Sequence, residues 1–587
     1  STFLQTHAAI LADRDWVFFT QRGSPQAKPE LSCPAYNNVP LEAAKNGWSA
    51  EEKLARATEA MQACLDDFAA QGVDLTAYTS VENAADIDAL RQALGYDKII
   101  YYGESYGTLL GQYLLRAHPE IVESIILDGI APATAVRWTD VTKINESFER
   151  VFDACAADEA CHAVYPDPAG ALTQALADLK ANPAPFTLAA GEGITVPLQV
   201  NDVLAMNALF INLYVPGGYA QVPAIVYQLS QGDTSVLAST IPLYYANSGN
   251  ARVMHLAIAC SDDPVPSLDE VDLDVPEMYQ GLIIDDAMSY ITECPLLDVP
   301  HMDDTSDALV ESETPALLLQ GGLDPATPVS GGDNVATGLP NSYNIVVPAG
   351  SHIQSHSPCI LDIMAAFMRD PQAAPDTSCI DQTVAFRTPG AVSYAGPGAS
   401  NAISITLPAI FGSLGQGQWS NGATGVVIAS FPPTKTVEAV LGETAAALQA
   451  QESEMIAGPT IAGMESMFFQ TPTYDTYVFG DAQGTYRIAF FAVDPNSLDF
   501  ARATLYPELL DSVTVGPAPA AAAEPSAEAA GATAMAAISE DDLALFQQVA
   551  QEAFQRMMAR NQEACPDASS RTFPLPEPDY NAKRPLD

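Results

Sequence analysis

The first residue placed for chemistry is a serine within a Gly-x-Ser-x-Gly pentapeptide, Gly103–Gly107 (GESYG). The pentapeptide directly follows an apolar stretch typical of a buried strand, Lys98–Tyr102 (KIIYY), and directly precedes a helical pattern. Its two glycines allow a strand to turn sharply into a helix, which exposes the serine hydroxyl in a strained backbone conformation. This context predicts Ser105 as a nucleophile. The alternative is a glycine-rich turn that contains a serine incidentally.

A serine hydroxyl becomes an effective nucleophile only when a base removes its proton and an acid orients that base. Where such an elbow occurs, the acid and then the histidine follow in the chain, each in a loop after a later strand. Asp324 follows the strand-like stretch Ala316–Gln320 (ALLLQ), and His352 follows Asn344–Val347 (NIVV). We therefore predict a catalytic triad of Ser105, Asp324 and His352.

The sequence leaves alternatives to these assignments open. Asp324 can instead cap the helix that follows it, and His356 can replace His352 as the base. His352, His356 and Cys359 also carry metal-binding side chains, but no fourth ligand lies near them and paired Cys-x-x-Cys spacing is absent. We therefore expect neither a metal nor another cofactor.

Substrate binding requires further polar groups around the serine. The backbone N–H of Tyr106 is the predicted first donor to the oxyanion that forms when the serine attacks a carbonyl carbon. Asp262, Asp263 and Glu104 are candidates to bind a substrate ammonium group, because a carboxylate forms a charge-assisted hydrogen bond with it. The competing interpretation of the two aspartates is a generally acidic surface.

The elements that must position these residues alternate between helix and apolar strand over residues 1–130 and again over residues 301–388. Apolar strands separated by helices predict a parallel sheet that is covered on both faces, hence an α/β fold. Asp15–Thr20 (DWVFFT) is predicted as its first strand. Residues 131–300 are mostly helical with proline-rich breaks, which predicts a helical cap domain over the site.

Further segments follow this predicted core. Residues 389–515 have the patterns of a small α+β domain and contain no catalytic constellation. Residues 516–537, rich in alanine, are predicted to be a disordered linker because they cannot bury a core. Residues 538–587 are predicted as a helix with an apolar stripe and an extended proline-rich tail. The stripe needs a cover, either from this chain or from a protein partner.

The composition is strongly acidic. In a chain of 587 residues, which is expected to form two to four domains, 73 acidic and 24 basic side chains give a formal net charge of −49. Such a surface repels nucleic-acid phosphates and anionic lipids, so we expect neither as a partner. No stretch of about 18 apolar residues is present, so no membrane span is expected.

Cysteine spacing favours an oxidising compartment. Cys565 lies alone near the end of the chain, and scattered buried thiols are the alternative to disulfides. The other eight cysteines form neighbouring pairs, which predicts a secreted, extracellular or periplasmic protein. The expected pairs are Cys33 with Cys64, Cys155 with Cys161, Cys260 with Cys294, and Cys359 with Cys379.

Several of these stretches resemble the tripeptidyl aminopeptidase and proline iminopeptidase branch of the α/β-hydrolases. They are Ala84–Thr108 around the elbow, Asp15–Gly23 (DWVFFTQRG), Pro315–Pro328 (PALLLQGGLDPATP) and the cysteine-bounded stretch after His352. The resemblance covers roughly residues 1–385 and does not extend to the later segments. It implies an exopeptidase that removes short peptides or single residues from free N-termini.

Two other functions remain open: an esterase of small acyl esters, with the same triad under a different cap, and a non-catalytic extracellular binding subunit.

A hydrolase of this kind also has strands before Asp15, joined by a Gly-rich loop that supplies the second oxyanion N–H. The sequence places only about 14 residues there. We therefore expect either a cut or truncation before Ser1, with a companion N-terminal fragment completing the sheet, or an incomplete record of a longer chain.

Overall fold

The computed structural model of the chain describes residues 14–517, apart from positions 26, 47, 136–142, 190–194, 247–250, 264–266, 303–305, 422, 448–454, 472 and 493–500. The tail predicted for residues 538–587 and the linker beyond Pro517 lie outside the described residues, and so does Cys565.

The first part of the core contains the strand and the helix that flank the serine. Its elements are α1 (Pro34–Asn37), α2 (Val39–Asn46), α3 (Ala50–Ala70), α4 (Ser80–Leu94), β1 (Ile99–Glu104), α5 (Tyr106–Ala117) and β2 (Val122–Asp128). Ser49 and Thr79 begin α3 and α4, because each side chain accepts a hydrogen bond from a backbone N–H of the first turn. Gly95 ends α4 in the left-handed conformation, at φ 79°.

The prediction of a strand at Asp15–Thr20 is wrong. This segment has no strand pairing in the structure. It is held instead by side chains: the ring of Trp16 packs edge-on against Tyr102 of β1 at 6.4 Å, and Phe19 packs against the apolar cluster around α5. Apolar residues alone therefore do not define a strand here, since the segment forms no backbone ladder with the described strands.

The middle of the chain, predicted as the cap, is largely helical. Its elements are α6 (Lys143–Ala157), α7 (Glu159–Val164), α8 (Pro168–Ala181), β3 (Ala184–Ala189), β4 (Thr195–Val200), α9 (Asp202–Tyr214), α10 (Val222–Ser230), α11 (Ile241–Ala246), α12 (Arg252–Asp262) and α13 (Glu277–Leu297). The antiparallel pair β3–β4 is an unpredicted element. Val196, Leu198 and Val200 alternate into the core, which is the burial pattern of a strand that is covered on one face.

The sheet resumes after the cap with β5 (Ala316–Gly321), α14 (Val329–Gly338), β6 (Ser342–Val347) and α15 (Pro358–Arg369). The strand order is β1-β2-β5-β6, and all the pairings are parallel. Alternate residues of the strands join different apolar clusters. Ile125, Leu127, Ala316 and Leu318 pack with α4 and α5, and Ile126, Leu317, Leu319 and Ile345 pack with α15. Both faces are covered, as predicted, and because the four strands are parallel their carboxyl ends lie at one edge of the sheet.

Disulfides join neighbouring helices of the core and the cap. One lies at the start of α1 and reaches α3, one joins α6 to α7, one joins α12 to α13, and one ties α15 to the segment that follows it. The bonded pairs are the four that the sequence predicts: Cys33–Cys64, Cys155–Cys161, Cys260–Cys294 and Cys359–Cys379.

The segment predicted as an α+β domain contains more strand than its sequence indicates. Its elements are β7 (Gly390–Tyr394), β8 (Asn401–Leu407), β9 (Gly412–Gly415), β10 (Gln418–Ser420), β11 (Thr424–Phe431), α16 (Val437–Ala447), β12 (Ile456–Ala457), β13 (Ser466–Gln470), β14 (Tyr474–Asp481), β15 (Gly484–Ala492), α17 (Tyr506–Asp511) and β16 (Thr514–Pro517). Strands β9 to β15 form an antiparallel sheet in the order β12-β13-β14-β15-β11-β10-β9. The third sheet has the order β16-β8-β7.

Two details of this segment bear on the predictions. The hairpin β14–β15 turns where Asp481 pairs with Gly484, as the sequence predicts. Gly516 and Pro517 belong to β16 and pair with β8, so the linker prediction is wrong at its first two residues.

No helix among the described residues has both the length and the apolar character needed to cross a membrane.

Candidate active site

Ser105 lies at a strained turn between β1 and α5. Its φ is 51°, in the left-handed region that residues with a side chain rarely adopt. A Cβ at Gly103 would collide with the carbonyl oxygen of Gly107, so this turn requires glycine at its first position. The backbone N–H of Ser105 donates to the carbonyl oxygen of Asp128 over 2.9 Å, which fixes the turn to the end of β2.

Asp324 and His352 form a buried pair at the same edge of the sheet. Asp324 follows β5, His352 follows β6, and His352 Nδ1 lies 2.8 Å from Asp324 Oδ2. Asp324 is 0% exposed and His352 is 3% exposed. The Asp324 carboxylate also accepts hydrogen bonds from the backbone N–H groups of Ala326 and Thr327, over 2.8 and 3.0 Å. Helix α14 begins later, after Pro328, so Asp324 does not act as its N-cap.

Thr327 is a third member of this hydrogen-bonded group that the sequence did not identify. Its hydroxyl donates to Asp324 Oδ2 over 2.5 Å and lies 3.3 Å from His352 Nδ1. The hydroxyl therefore orients the carboxylate that orients the imidazole. The Asp-x-x-Thr spacing that follows β5 is the signal that could have revealed it, because a threonine three residues after an aspartate can close such a turn.

The alternative base, His356, lies away from this group. His356 is exposed, whereas His352 is buried against Asp324. His352 Nε2 is buried and has no hydrogen-bond partner among the described residues. In enzymes without substrate, the hydrogen bond between base and nucleophile is often loose and tightens when substrate binds.

Asp128 anchors the loop that carries His352. Its buried carboxylate accepts hydrogen bonds from the backbone N–H groups of Gln354, at 2.8 and 3.0 Å, and of Ser355, at 2.9 Å. The loop needs such support because Ile353, a β-branched residue, adopts φ 68°. Burial raises the pKa of Asp128 to about 7, although the two N–H groups act in the opposite direction and the charge of Glu104 adds to the increase.

A cavity of about 610 Å³ opens beside Ser105, a size typical of small-molecule sites. Residues of the elbow, the cap and the loop after β5 line it. Tyr106, the first residue of α5, belongs to this lining and directly follows Ser105. The acidic residues of the lining are Asp262, Asp263, Asp285, Asp286 and Asp307.

The structure brings two of the three candidate substrate ligands to this cavity. Asp262 and Asp263 line it, and Asp262 accepts hydrogen bonds from the hydroxyl and the N–H of Ser80, over 2.5 and 3.4 Å. Glu104 does not line the cavity: its carboxylate accepts hydrogen bonds from the hydroxyls of Tyr102 and Ser355. Glu104 is therefore not placed as a substrate ligand.

No group of three or more His, Cys, Asp or Glu side chains in the described part of the chain has an arrangement that could hold a metal ion. Cys359, one of the residues in the metal alternative, is bonded to Cys379. An elbow serine at the same sheet edge as a buried aspartate–histidine pair is the arrangement that nucleophilic attack by a serine hydroxyl requires.

Two family models and a solved structure are similar to parts of this chain. A family model described as "alpha/beta hydrolase fold" matches residues 12–160, and one described as "TAP-like protein" matches residues 281–379. The chain is also similar to a solved α/β hydrolase, MGS-M2 from a deep-sea metagenome library, with 13% identity and a TM-score of 0.24. That similarity covers 51% of this chain and 75% of MGS-M2.

Two curated relatives extend the comparison. The chain is 28% identical over 355 residues to serine protease Hip1 of Mycobacterium tuberculosis, covering 56% of this chain and 67% of that protein. It is 26% identical over 272 residues to tripeptidyl aminopeptidase of Streptomyces lividans, covering 43% of this chain and 48% of that protein. The chain thus spans about half the length of the Streptomyces relative.

The stretches matched by the two family models coincide with the sheet and with the residues described above. The first contains β1, β2 and Ser105, and the second contains β5, β6, Asp324 and His352. This agreement confirms the predicted α/β-hydrolase fold and the family resemblance. The strands β1, β2, β5 and β6 within the two matched stretches form the sheet of an α/β-hydrolase fold, and the chain is similar to TAP-like proteins of that fold.

Proposed function

We propose that the protein is a secreted serine exopeptidase that releases short peptides or single residues from free N-termini. The observation that carries the proposal is the buried Asp324–His352 pair at the sheet edge where Ser105 also lies, beside an acidic cavity. The names of the two curated relatives, a serine protease and a tripeptidyl aminopeptidase, support the same class of enzyme.

In the acylation step, His352 Nε2 removes the proton of Ser105 Oγ while that oxygen attacks the carbonyl carbon of the scissile bond. Asp324 accepts the Nδ1–H hydrogen bond, keeps the imidazole in the tautomer that leaves Nε2 free to accept a proton, and stabilises the imidazolium that forms. The N–H of Tyr106 donates to the developing oxyanion.

Three proton transfers complete the cycle. The imidazolium of His352 donates its Nε2 proton to the leaving amine, so the peptide bond breaks and an acyl group stays on Ser105. Water then attacks the acyl carbon, with His352 again acting as base, and the peptide or amino acid is released as a carboxylate. The proton returns from His352 to Ser105 Oγ, which restores the enzyme.

Selection of a free N-terminus rests on the aspartates of the cavity. Asp262 and Asp263 lie at the end of α12, are 2% and 6% exposed, and line the same cavity as Ser105. A substrate ammonium group bound there would form charge-assisted hydrogen bonds, which are stronger than neutral ones. The distance from these carboxylates to Ser105 would then limit how many residues are released.

The four disulfides support secretion, because disulfides persist in oxidising compartments and are rare in the cytosol.

A companion segment that completes the sheet is a further part of this proposal. Strand β1 is an edge of the four-stranded sheet and has no outer partner among the described residues, and an unpaired edge is a ready site for strand addition.

A substrate panel tests the proposed function. We expect tripeptidyl and aminoacyl amides with free N-termini to be cleaved, their N-acetylated forms to be cleaved at least ten times more slowly, and the Ser105→Ala variant to cleave neither. Asp262→Asn should lower kcat/KM for free N-termini by about ten- to a hundredfold, the value of one charge-assisted contact. It should leave N-acetylated substrates unaffected.

The control is Asp269→Asn, the same substitution at an exposed aspartate of the same region. It should behave as wild type. Equal rates for free and N-acetylated amides would contradict the exopeptidase proposal, and turnover of simple esters alone would identify an esterase. No turnover, together with no labelling of Ser105 by a fluorophosphonate, would indicate a binding subunit on a hydrolase scaffold.

A further inference from the structure

An aromatic residue of the cap covers the catalytic histidine. Tyr214 is the last residue of α9, and its ring centroid lies 4.5 Å from that of His352, with 31° between the ring planes. One helical turn earlier, Phe210 stacks on Tyr214 at 6.0 Å and lines the cavity beside Ser105. The helix thus presents one aromatic side chain to the cavity and the next to the imidazole.

The other surroundings of His352 come from the sheet side. Asp324 and the hydroxyl of Thr327, in the loop after β5, face Nδ1. The ring carbon Cε1 lies close to Gly129, just after β2, where an added Cβ would be 3.1 Å from it. The charge of Asp128, at the end of β2, interacts with His352, and the charge of Glu104, at the end of β1, acts on both Asp128 and Tyr214.

Tyr214 therefore differs from Asp324 and Thr327, because it lies against a face of the imidazole and not against a ring nitrogen. The face of a tyrosine ring is electron-rich and attracts a cation within about 6 Å of its centroid. The imidazole is 3% exposed, so water does not weaken this attraction. During acylation His352 becomes positively charged, and the tyrosine ring lies where that charge appears.

We propose that Tyr214 is a positioning residue of the hydrolytic reaction. Its ring packs on the imidazole of His352, keeps that imidazole in its orientation, and stabilises the imidazolium that forms when Ser105 attacks. The inference rests on the proposed function, since it requires His352 to be the base. It assigns to the cap helix α9 a role in the rate of the chemical step, in addition to any role in enclosing substrate.

The test compares variants that keep or remove the ring. Tyr214→Phe retains the ring face, and Tyr214→Leu retains an apolar cover of similar reach without π electrons. Tyr227→Leu is the matched control: Tyr227 is on cap helix α10, is 44% exposed where Tyr214 is 39% exposed, and does not line the cavity. The readout is the second-order rate of Ser105 labelling by a fluorophosphonate from pH 5 to 9, together with kcat/KM for a cleaved amide.

We expect Tyr214→Leu to lower both rates about 3- to 30-fold and to shift the acidic limb of the pH profile to lower pH. The direction follows because a base whose protonated form is less stable has a lower pKa, so it stays neutral at lower pH. Tyr214→Phe and Tyr227→Leu should keep the acidic limb of the wild type and at least a third of its rate.

Three results would overturn the inference. An acidic limb for Tyr214→Leu that coincides with that of the wild type would leave the residue a purely structural role. A Phe variant as impaired as the Leu variant would assign the effect to the hydroxyl. Absence of labelling in the wild-type protein would refute the triad itself, and would thereby be distinguishable from failure of the Tyr214 inference alone.

Discussion

Among the described residues the buried carboxylate of Asp324 is paired with His352 and with no lysine or arginine, and hydrogen-bond donors stabilise its charge. It is 0% exposed and accepts hydrogen bonds from the N–H groups of Ala326 and Thr327, from the Thr327 hydroxyl and from His352. An unpaired buried charge would be expensive, and four donors offset that cost. These donors belong to one short turn and one imidazole, so the acid is already oriented before substrate arrives.

Exchanging either histidine for alanine separates the two candidate bases. His352→Ala should reduce kcat about a million-fold, as in other triad knockouts, because the members of a triad act as a unit. His356→Ala should retain at least a third of the activity, since His356 is exposed and His352 occupies the place beside Asp324. Initial rates with the best amide of the substrate panel measure both effects. The reverse order of the two variants would make His356 the base.

At the residue scale, local pattern and chain order predicted Ser105, Asp324 and His352 as candidates, because an elbow and its partners occupy fixed positions relative to strands. Asp128 and Tyr214 were not predictable in this way. Asp128 and its hydrogen-bond partner Gln354 are 226 positions apart in the sequence, and Tyr214, which contacts His352, belongs to the segment predicted as the cap. Contacts of this kind arise from how the elements pack, and a single sequence does not state that packing.

At the scale of elements, the parallel strands were predictable because both of their faces are apolar. In β2, Ile125 and Ile126 pack against opposite layers, so the strand appears as an uninterrupted apolar run. Several strands of the C-terminal sheets are short, polar or rich in glycine, as in β9 (GSLG) and β10 (QWS). Whether such a segment forms a strand depends more on the strands beside it than on its own residues. Sequence patterns therefore identified only some of these strands.

The loop after β6 depends on an element distant in sequence, and pH should reveal this dependence. The pKa of Asp128 is raised to about 7 in the folded protein, from an ordinary value of 3.8, chiefly by burial. Between those two values the folded state binds more protons than the unfolded state, so this group makes stability fall as pH rises through that window and contributes a constant penalty above it. The slope is at most about 1.4 kcal/mol per pH unit.

Asp128→Asn removes this dependence while keeping one acceptor oxygen for Gln354 and Ser355. We expect the free energy of unfolding of the wild type, measured by urea titration, to fall more steeply than that of the variant between pH 4 and about pH 7. Above that pH the two curves should run parallel. Asp269→Asn, at an exposed position, should follow the wild type throughout. Parallel curves for Asp128→Asn at all pH values would contradict the assignment.

For the whole molecule, charge is the dominant feature. The net charge of −49 results from 73 acidic against 24 basic side chains, and five of the acidic ones line the cavity beside Ser105. The described residues of that lining include no lysine, arginine or histidine. A cleft of one sign within a surface of the same sign concentrates oppositely charged ligands and raises their association rates. The field of the molecule and the carboxylates of its site therefore favour the same substrates, those with positive charge.

This field predicts how salt should act on substrates of different charge. Three peptides of equal length with a free N-terminus, differing only by Lys, Gln or Glu several residues beyond the scissile bond, share the same contacts at the site. At about 10 mM salt the Debye length is about 30 Å, so the distant residue feels the charge of the whole protein, and at 0.15 M it is about 8 Å. We expect kcat/KM to rank Lys above Gln above Glu at low salt, with about tenfold between the extremes. That ratio should shrink toward one as salt rises. If it stays constant from 10 mM to 300 mM NaCl, a local contact and not the field distinguishes the peptides.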